Sequence, residues 1–214
     1  MQTSSLASRS RRGALSGALV IVLVLLALVV IAVLGSISVY NGLQARRTAV
    51  EQRVAALDSQ YKRRFELIPN LVETVKGAAN FEQTTLQALV DARASVGRAS
   101  LPADVTDPAA MRAWMDAQAS LGGALSRLLV VAENYPALRA TAAFGELQSQ
   151  LEGTENRINV ARIDWTQAIG DYNSRLRSFP GNVIGGAFGL REMPQYEAAA
   201  AEREAPKVDF GAKQ

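Results

Sequence analysis

The run from Gly13 to Val39 carries no charge and reads GALSGALVIVLVLLALVVIAVLGSISV. It constrains the fold more than any other feature, because it sets the solvent. A hydrocarbon core about 30 Å thick is crossed by roughly 20 apolar helical residues. The run exceeds that and can span with tilt to spare. A secretory leader would carry a shorter apolar stretch of about 7–15 residues before a small-x-small site. Here the nearest such site, Val33-Leu34-Gly35, has bulky Leu34 at its centre, and no cysteine follows to take a lipid. The reading is an uncleaved transmembrane anchor, 13–39, behind a short basic tail, 1–12. Everything after Val39 is then displayed on one membrane face.

Arg9, Arg11 and Arg12 precede the run, and Arg46, Arg47 and Arg53 follow it. Lys and Arg near span ends favour the inner face. The denser set lies in the short tail with the amino terminus, so the N-terminus is expected inside and the following domain outside. The reverse, a cytoplasmic domain, is the alternative.

The remaining chain, about 175 residues, is long enough for one domain with its own core. Its charges are interspersed and the net charge of the whole chain is only +3, which gives nucleic-acid binding no footprint. The chain has no cysteine and no histidine. That excludes thiolate nucleophiles, Ser-His-Asp triads, H-E-x-x-H zinc sites and a phospho-accepting histidine. Catalysis would have to rest on carboxylates, Lys, Ser/Thr or Tyr.

Apolar residues recur at steps of three and four, as in packed helices. The first segment carries Leu43, Val50, Val54, Leu57, Tyr61 and Phe65, continues the anchor, and is expected to stop near Ile68-Pro69, since Pro disfavours helical geometry before it. A kink in one long helix is the other reading. The second carries Leu71, Val75, Ala78, Leu86, Leu89 and Val96. Asp107-Pro108 reads as an N-cap and first helical residue. The third then carries Met111, Trp114, Gln118, Leu121, Leu125, Leu128 and Ala132. The fourth, longest segment runs from Phe144 to Leu176, with Leu151, Thr154, Ile158 and Trp165 on its seam. Trp114 and Trp165 read as core.

The expected fold is all-α: a single N-terminal transmembrane helix, then an antiparallel up-down-up-down bundle over 40–180 with a long final helix, then an irregular tail, 181–214. In that arrangement Ile184, Phe188 and Leu190 lie near the lipid surface. They either contact the membrane interface or pack against the bundle end.

Two stretches carry a resemblance. One is Tyr40-Asn41-Gly42-Leu43 followed by Lys62-Arg63-Arg64-Phe65-Glu66-Leu67-Ile68-Pro69-Asn70-Leu71-Val72-Glu73-Thr74-Val75-Lys76-Gly77. The other is Leu151-Glu152-Gly153-Thr154-Glu155-Asn156-Arg157-Ile158 with Tyr172-Asn173-Ser174-Arg175-Leu176-Arg177-Ser178-Phe179-Pro180. Together they resemble the LemA family, and the ending Glu204-Ala205-Pro206-Lys207-Val208-Asp209-Phe210 is similar to that family's tail. The resemblance implies a bacterial single-pass inner-membrane protein with an antiparallel bundle and no assigned chemistry. The chain departs from it at Val54-Ala55-Ala56-Leu57, where members often have tryptophan, and at Phe81-Glu82, where they often have His-Glu.

Glu152 and Glu155 share a helix face, but without histidine they make a poor di-metal set. An ion-pair network is the plainer reading. Arg63, Arg64 and Arg157 supply the cations; Glu66, Glu73, Glu82, Glu152 and Glu155 supply the anions. Asn70, Asn156, Asn159 and Asn173 suggest a polar layer inside the bundle or a partner face. No cofactor, metal or catalytic residue is expected. The leading expectation is a membrane-anchored, non-catalytic scaffold or adaptor that presents its bundle to envelope proteins. The alternatives are a carboxylate-based or metal-binding enzyme, and a self-assembling homo-oligomer.

Overall fold

The apolar run and the first bundle segment form one helix. In the computed structural model, which describes residues 9–78 and 81–194, α1 (Arg9–Lys76) is 68 residues long. At 1.5 Å per residue it reaches roughly 100 Å. Its N-terminal part is long and apolar enough to cross a membrane. The large side chains from Leu19 to Ile37 are exposed, as expected of a helix that is apolar all round. Residues 1–8 and the family-like ending 204–210 lie outside the described residues.

Pro69 does not stop α1; it sits inside the helix. An internal proline costs about 3 kcal/mol through one lost hydrogen bond and a ring clash. Pro69 is on the exposed side, where water can satisfy the freed carbonyl. On the opposite side Ile68, Leu71, Val72 and Val75 are all buried, each contributing roughly 1.5–3 kcal/mol. Burial outweighs the proline. Leu71 and Val75 thus belong to α1, and the expected second segment begins only after Gly77.

The later helices are α2 (Gln83–Arg98), α3 (Pro108–Ala132), α4 (Pro136–Arg139), α5 (Ala142–Arg177) and α6 (Gly181–Ala187). Among the described residues there is no strand. The start of α3 is as its sequence predicts: Pro108 opens the helix, and Asp107 Oδ1 accepts the Ala109 and Ala110 amides at 2.9 and 3.2 Å. The seven seam residues expected for α3 are its buried residues. The segment 181–187, expected to be irregular, is helical. It is held there by packing on α1 and α5, not by composition.

The α1–α5 pairing dominates the bundle, and α2 packs chiefly on α3. Arg53 meets Asp164 and Arg64 meets Glu155, so numbers fall along α5 as they rise along α1, and the two run antiparallel. Tyr61 meets Trp114 and Arg64 meets Gln118, so α3 follows the sense of α1.

The buried residues form two clusters. One joins Leu43 through Tyr61 of α1 to Trp114 of α3 and Ile158 through Leu176 of α5. The other joins Ile68 through Val75 to Leu89, to Leu121 through Leu128, and to Phe144 and Leu151.

A candidate functional site at the polar layer between two cores

The two clusters meet at a polar layer. On α1 the seam runs Tyr61, Arg64, Ile68; on α3 it runs Trp114, Gln118, Leu121; on α5 it runs Leu151, Thr154, Ile158. The middle residue of each triplet is polar, and all three are buried: Arg64 is 2% exposed, Gln118 4% and Thr154 0%. The sequence reading placed Gln118 and Thr154 on their seams but put Phe65 on that of α1. In the structure Phe65 is half-buried and its neighbour Arg64 takes the seam position. The step after Tyr61 is three residues, not four.

Arg64 ties the layer together. Its Nη1 donates to Glu155 Oε1 at 2.8 Å, and its Nη2 donates to the Gln118 carbonyl at 2.9 Å and to Gln118 Oε1 at 3.0 Å. The guanidinium carbon lies 5.0 Å from the Tyr61 ring centroid. Thr154 turns inward and donates to its own helix at Gln150 O, 2.7 Å away. Gly122 allows the close approach of α3, because a Cβ there would meet Arg64 Nη1 at 3.3 Å. A buried arginine persists only when paired and hydrogen-bonded. Here one carboxylate, one carbonyl and one side-chain amide oxygen serve Nη1 and Nη2, while Nε is buried without a partner among the described residues.

The layer opens to one side through a groove of about 560 Å³ between α3 and α5, lined by Arg64, Gln118, Gly122, Gly123, Glu152, Glu155 and Asn156, among others. Glu155 keeps 38% of its side chain exposed there. Glu152 accepts a hydrogen bond from Gln148 at 3.0 Å. Among the described residues, no three His, Cys, Asp or Glu side chains converge as metal ligands would. The two glutamates are therefore held by a cation and an amide rather than facing a common ion.

The other expected residues lie elsewhere. Arg63, Glu66 and Arg157 are exposed and line a shallow surface recess with Ser59, Gln60 and Lys62. Glu73 is exposed and meets Lys76 on its own helix at 3.5 Å. Asn70, Asn156 and Asn159 are exposed, so the asparagines form no internal layer.

Asn173 is buried and does something else: it grips the chain after α6. Its Nδ2 donates to Met193 O at 2.8 Å, and its Oδ1 accepts the Met193 amide at 2.9 Å. The neighbouring Tyr172 hydroxyl donates to Arg191 O at 3.0 Å. Burial pushes the Tyr172 phenol above its ordinary pKa, against the opposing charge of Arg47, so it stays a hydrogen-bond donor. Outside this pair, Arg177 Nε meets Glu192 Oε1 at 2.8 Å. That hydrogen bond, with the Arg177 charge behind it, holds the Glu192 carboxyl below its ordinary value. The clasp was missed at the sequence level, although Tyr172-Asn173 stands in one of the family-like stretches.

The LemA family profile matches residues 53–210. The protein LemA of Metamycoplasma hominis is 22% identical over 163 residues, covering 76% of this chain and 71% of that protein. The magnetosome protein MamQ of Magnetospirillum gryphiswaldense is 22% identical over 182 residues, covering 77% of this chain and 64% of that protein. Magnetosome protein MamQ 1 of Paramagnetospirillum magneticum is 27% identical over 90 residues, 42% of this chain and 33% of that protein. The chain thus spans about a third of the length of this last relative.

Proposed function

The chain belongs to the LemA family, and from that premise we propose that it is a membrane-anchored, non-catalytic scaffold whose bundle recruits envelope proteins. The observation that carries this reading is the continuity of α1. One helix supplies both the apolar span and the longest wall of the bundle, so the bundle stands on the membrane without a flexible joint. A rigid stalk suits a protein that holds partners at a fixed height.

The layer around Arg64 supports the same reading. Its charges are paired with one another, and such layers fix helix register. An enzyme built on Glu152 and Glu155 would need both carboxylates free to meet a metal or a substrate, whereas Arg64 and Gln148 already engage them.

The exposed recess of Arg63, Glu66 and Arg157 is the partner face, and the bundle sits outside the cytoplasm. Photo-crosslinking residues placed at Arg63 and Arg157 in living cells are expected to trap one discrete protein adduct. The same residue at Val130, on α3, should trap none. Identical smears at all three positions would sink the scaffold reading. Protease digestion of a C-terminal tag on intact spheroplasts tests the side: cleavage is expected, and protection until lysis would put the bundle in the cytoplasm.

A further inference from the structure

We propose that α6 and the residues flanking it form a second membrane contact, an apolar tip that inserts into the lipid interface beside the α1 span. The proposal rests on the reading of 13–39 as a membrane span.

Three large apolar side chains are strongly exposed at this end of the bundle: Phe179 at 80%, Val183 at 61% and Phe188 at 63%. The fold holds them there firmly. Gly185 lies so close to Leu176 that a Cβ would clash with Leu176 Cδ1, and a Cβ on Gly181 would meet Arg175 O. Beyond α6 the chain turns back up α5 and is clasped by Tyr172 and Asn173. The segment is thus a fixed hairpin, and its exposed apolar groups are not the loose end of a tail.

Two independent measures place this hairpin at the level where the span ends. Phe188 packs on Tyr40 with ring centroids 4.6 Å apart, and Tyr40 directly follows Val39, the last residue of the apolar run. Carrying the α1–α5 register down from Arg53–Asp164 and Arg64–Glu155 brings Phe179 level with residues 38–40 of α1. A helix that leaves the bilayer at this height carries the three side chains into the headgroup and acyl boundary. Aromatic residues are enriched at that boundary, and apolar faces enter it by about 5–10 Å.

Charge points to the same occupant. Arg46, Arg47, Arg175, Arg177 and Arg191 lie at this end of the bundle, against Glu51, Asp104, Asp171 and Glu192, with Arg47 paired to Glu51 and Arg177 to Glu192. The arginines left without a carboxylate partner of their own, around an apolar tip, suit an anionic lipid surface. The sequence reading named Ile184, Phe188 and Leu190 here. The structure half-buries Ile184 and Leu190 against the bundle and exposes Phe179 and Val183 in their place.

The absence of native cysteine makes the test direct. The full chain would carry a single environment-sensitive dye at Val183→Cys, Val160→Cys or Val29→Cys, in vesicles of phosphatidylcholine and phosphatidylglycerol with brominated acyl chains. All three positions are exposed, so the substitutions leave the core intact. The dye at 183 is expected to shift blue and lose emission about twofold, as an interfacial group should, while the dye at 160 does neither. Quenching at 29 with none at 183 would overturn the proposal and leave the span standing. A blue shift at 183 without quenching would overturn it too, because a second copy or a partner protein would then cover the tip. No quenching at 29 would remove the span itself and the proposal with it.

Discussion

Arg64 places a guanidinium where the seam of a helical bundle ordinarily wants an aliphatic side chain. Its surroundings make that tolerable: Glu155 on one side, Gln118 on the other, and Gly122 opening the space. Truncation strands what remains. Arg64→Ala should lower stability by about 2–3 kcal/mol, below the roughly 3–5 expected of a fully buried pair, because Glu155 keeps 38% exposure. Denaturant melts of the full chain in detergent measure it, and a loss within error of zero would contradict the pairing. Replacing the layer as a unit should act differently. The double variant Arg64→Leu/Gln118→Leu is expected to melt at or above the parent temperature while amide exchange across α3 speeds up, because apolar layers stabilise but specify register poorly. Slower exchange would argue against a register role. The sequence concealed this layer in a particular way. Gln118 and Thr154 fall at seam steps and were legible there. Arg64 was readable as a cation for Glu155, and the structure pairs them, but its place on the seam was not: it follows Lys62 and Arg63 in a basic run, and only the three-residue step from Tyr61 brings it inside.

At the scale of single elements, α1 and the α6 hairpin diverge most from local expectation. Pro69 predicts a helix end by local geometry, yet four buried neighbours hold the helix through it. The penalty should then still be present and removable. Pro69→Ala is expected to stabilise the chain by about 1–3 kcal/mol, by restoring a hydrogen bond and relieving the clash, and a destabilised variant would show that α1 depends on a proline bend. The N-cap and seam of α3 were readable because Asp107, Pro108 and the three-four spacing are local signals. Helix α6 was not, because Gly181, Gly185 and Gly186 lack helical propensity and the segment forms only by docking. Its clasp should respond to acid. Glu192 has a depressed carboxyl pKa in the folded state, so its contribution is present above the ordinary carboxylate value and is lost as pH falls through the depressed one. The protection factor of the Met193 amide, which donates to Asn173, should fall over that acid range once the intrinsic pH dependence of exchange is divided out, and Glu192→Gln should remove that fall. An unchanged acid profile in the variant would place the titrating group elsewhere.

On the scale of the whole molecule, one rod sets the geometry. The anchor, the Arg64 layer and the apolar tip at Phe179, Val183 and Phe188 are positioned relative to one another by α1 and by α5 laid against it. The all-α class and the length of α5 were legible because hydrophobic period and length report them directly. Which surface meets lipid was only partly legible, since it depends on how the chain doubles back after Pro180. A joint between Val39 and the bundle would let the domain tilt freely and would remove the fixed height on which the scaffold reading rests. Spin labels at Ser38→Cys and Ser59→Cys, both exposed on α1, measure that joint in the reconstituted full chain. A continuous helix gives a single narrow distance distribution centred near 30 Å, from about 1.5 Å of rise per residue; a broad distribution with substantial weight at shorter distances would contradict the rod.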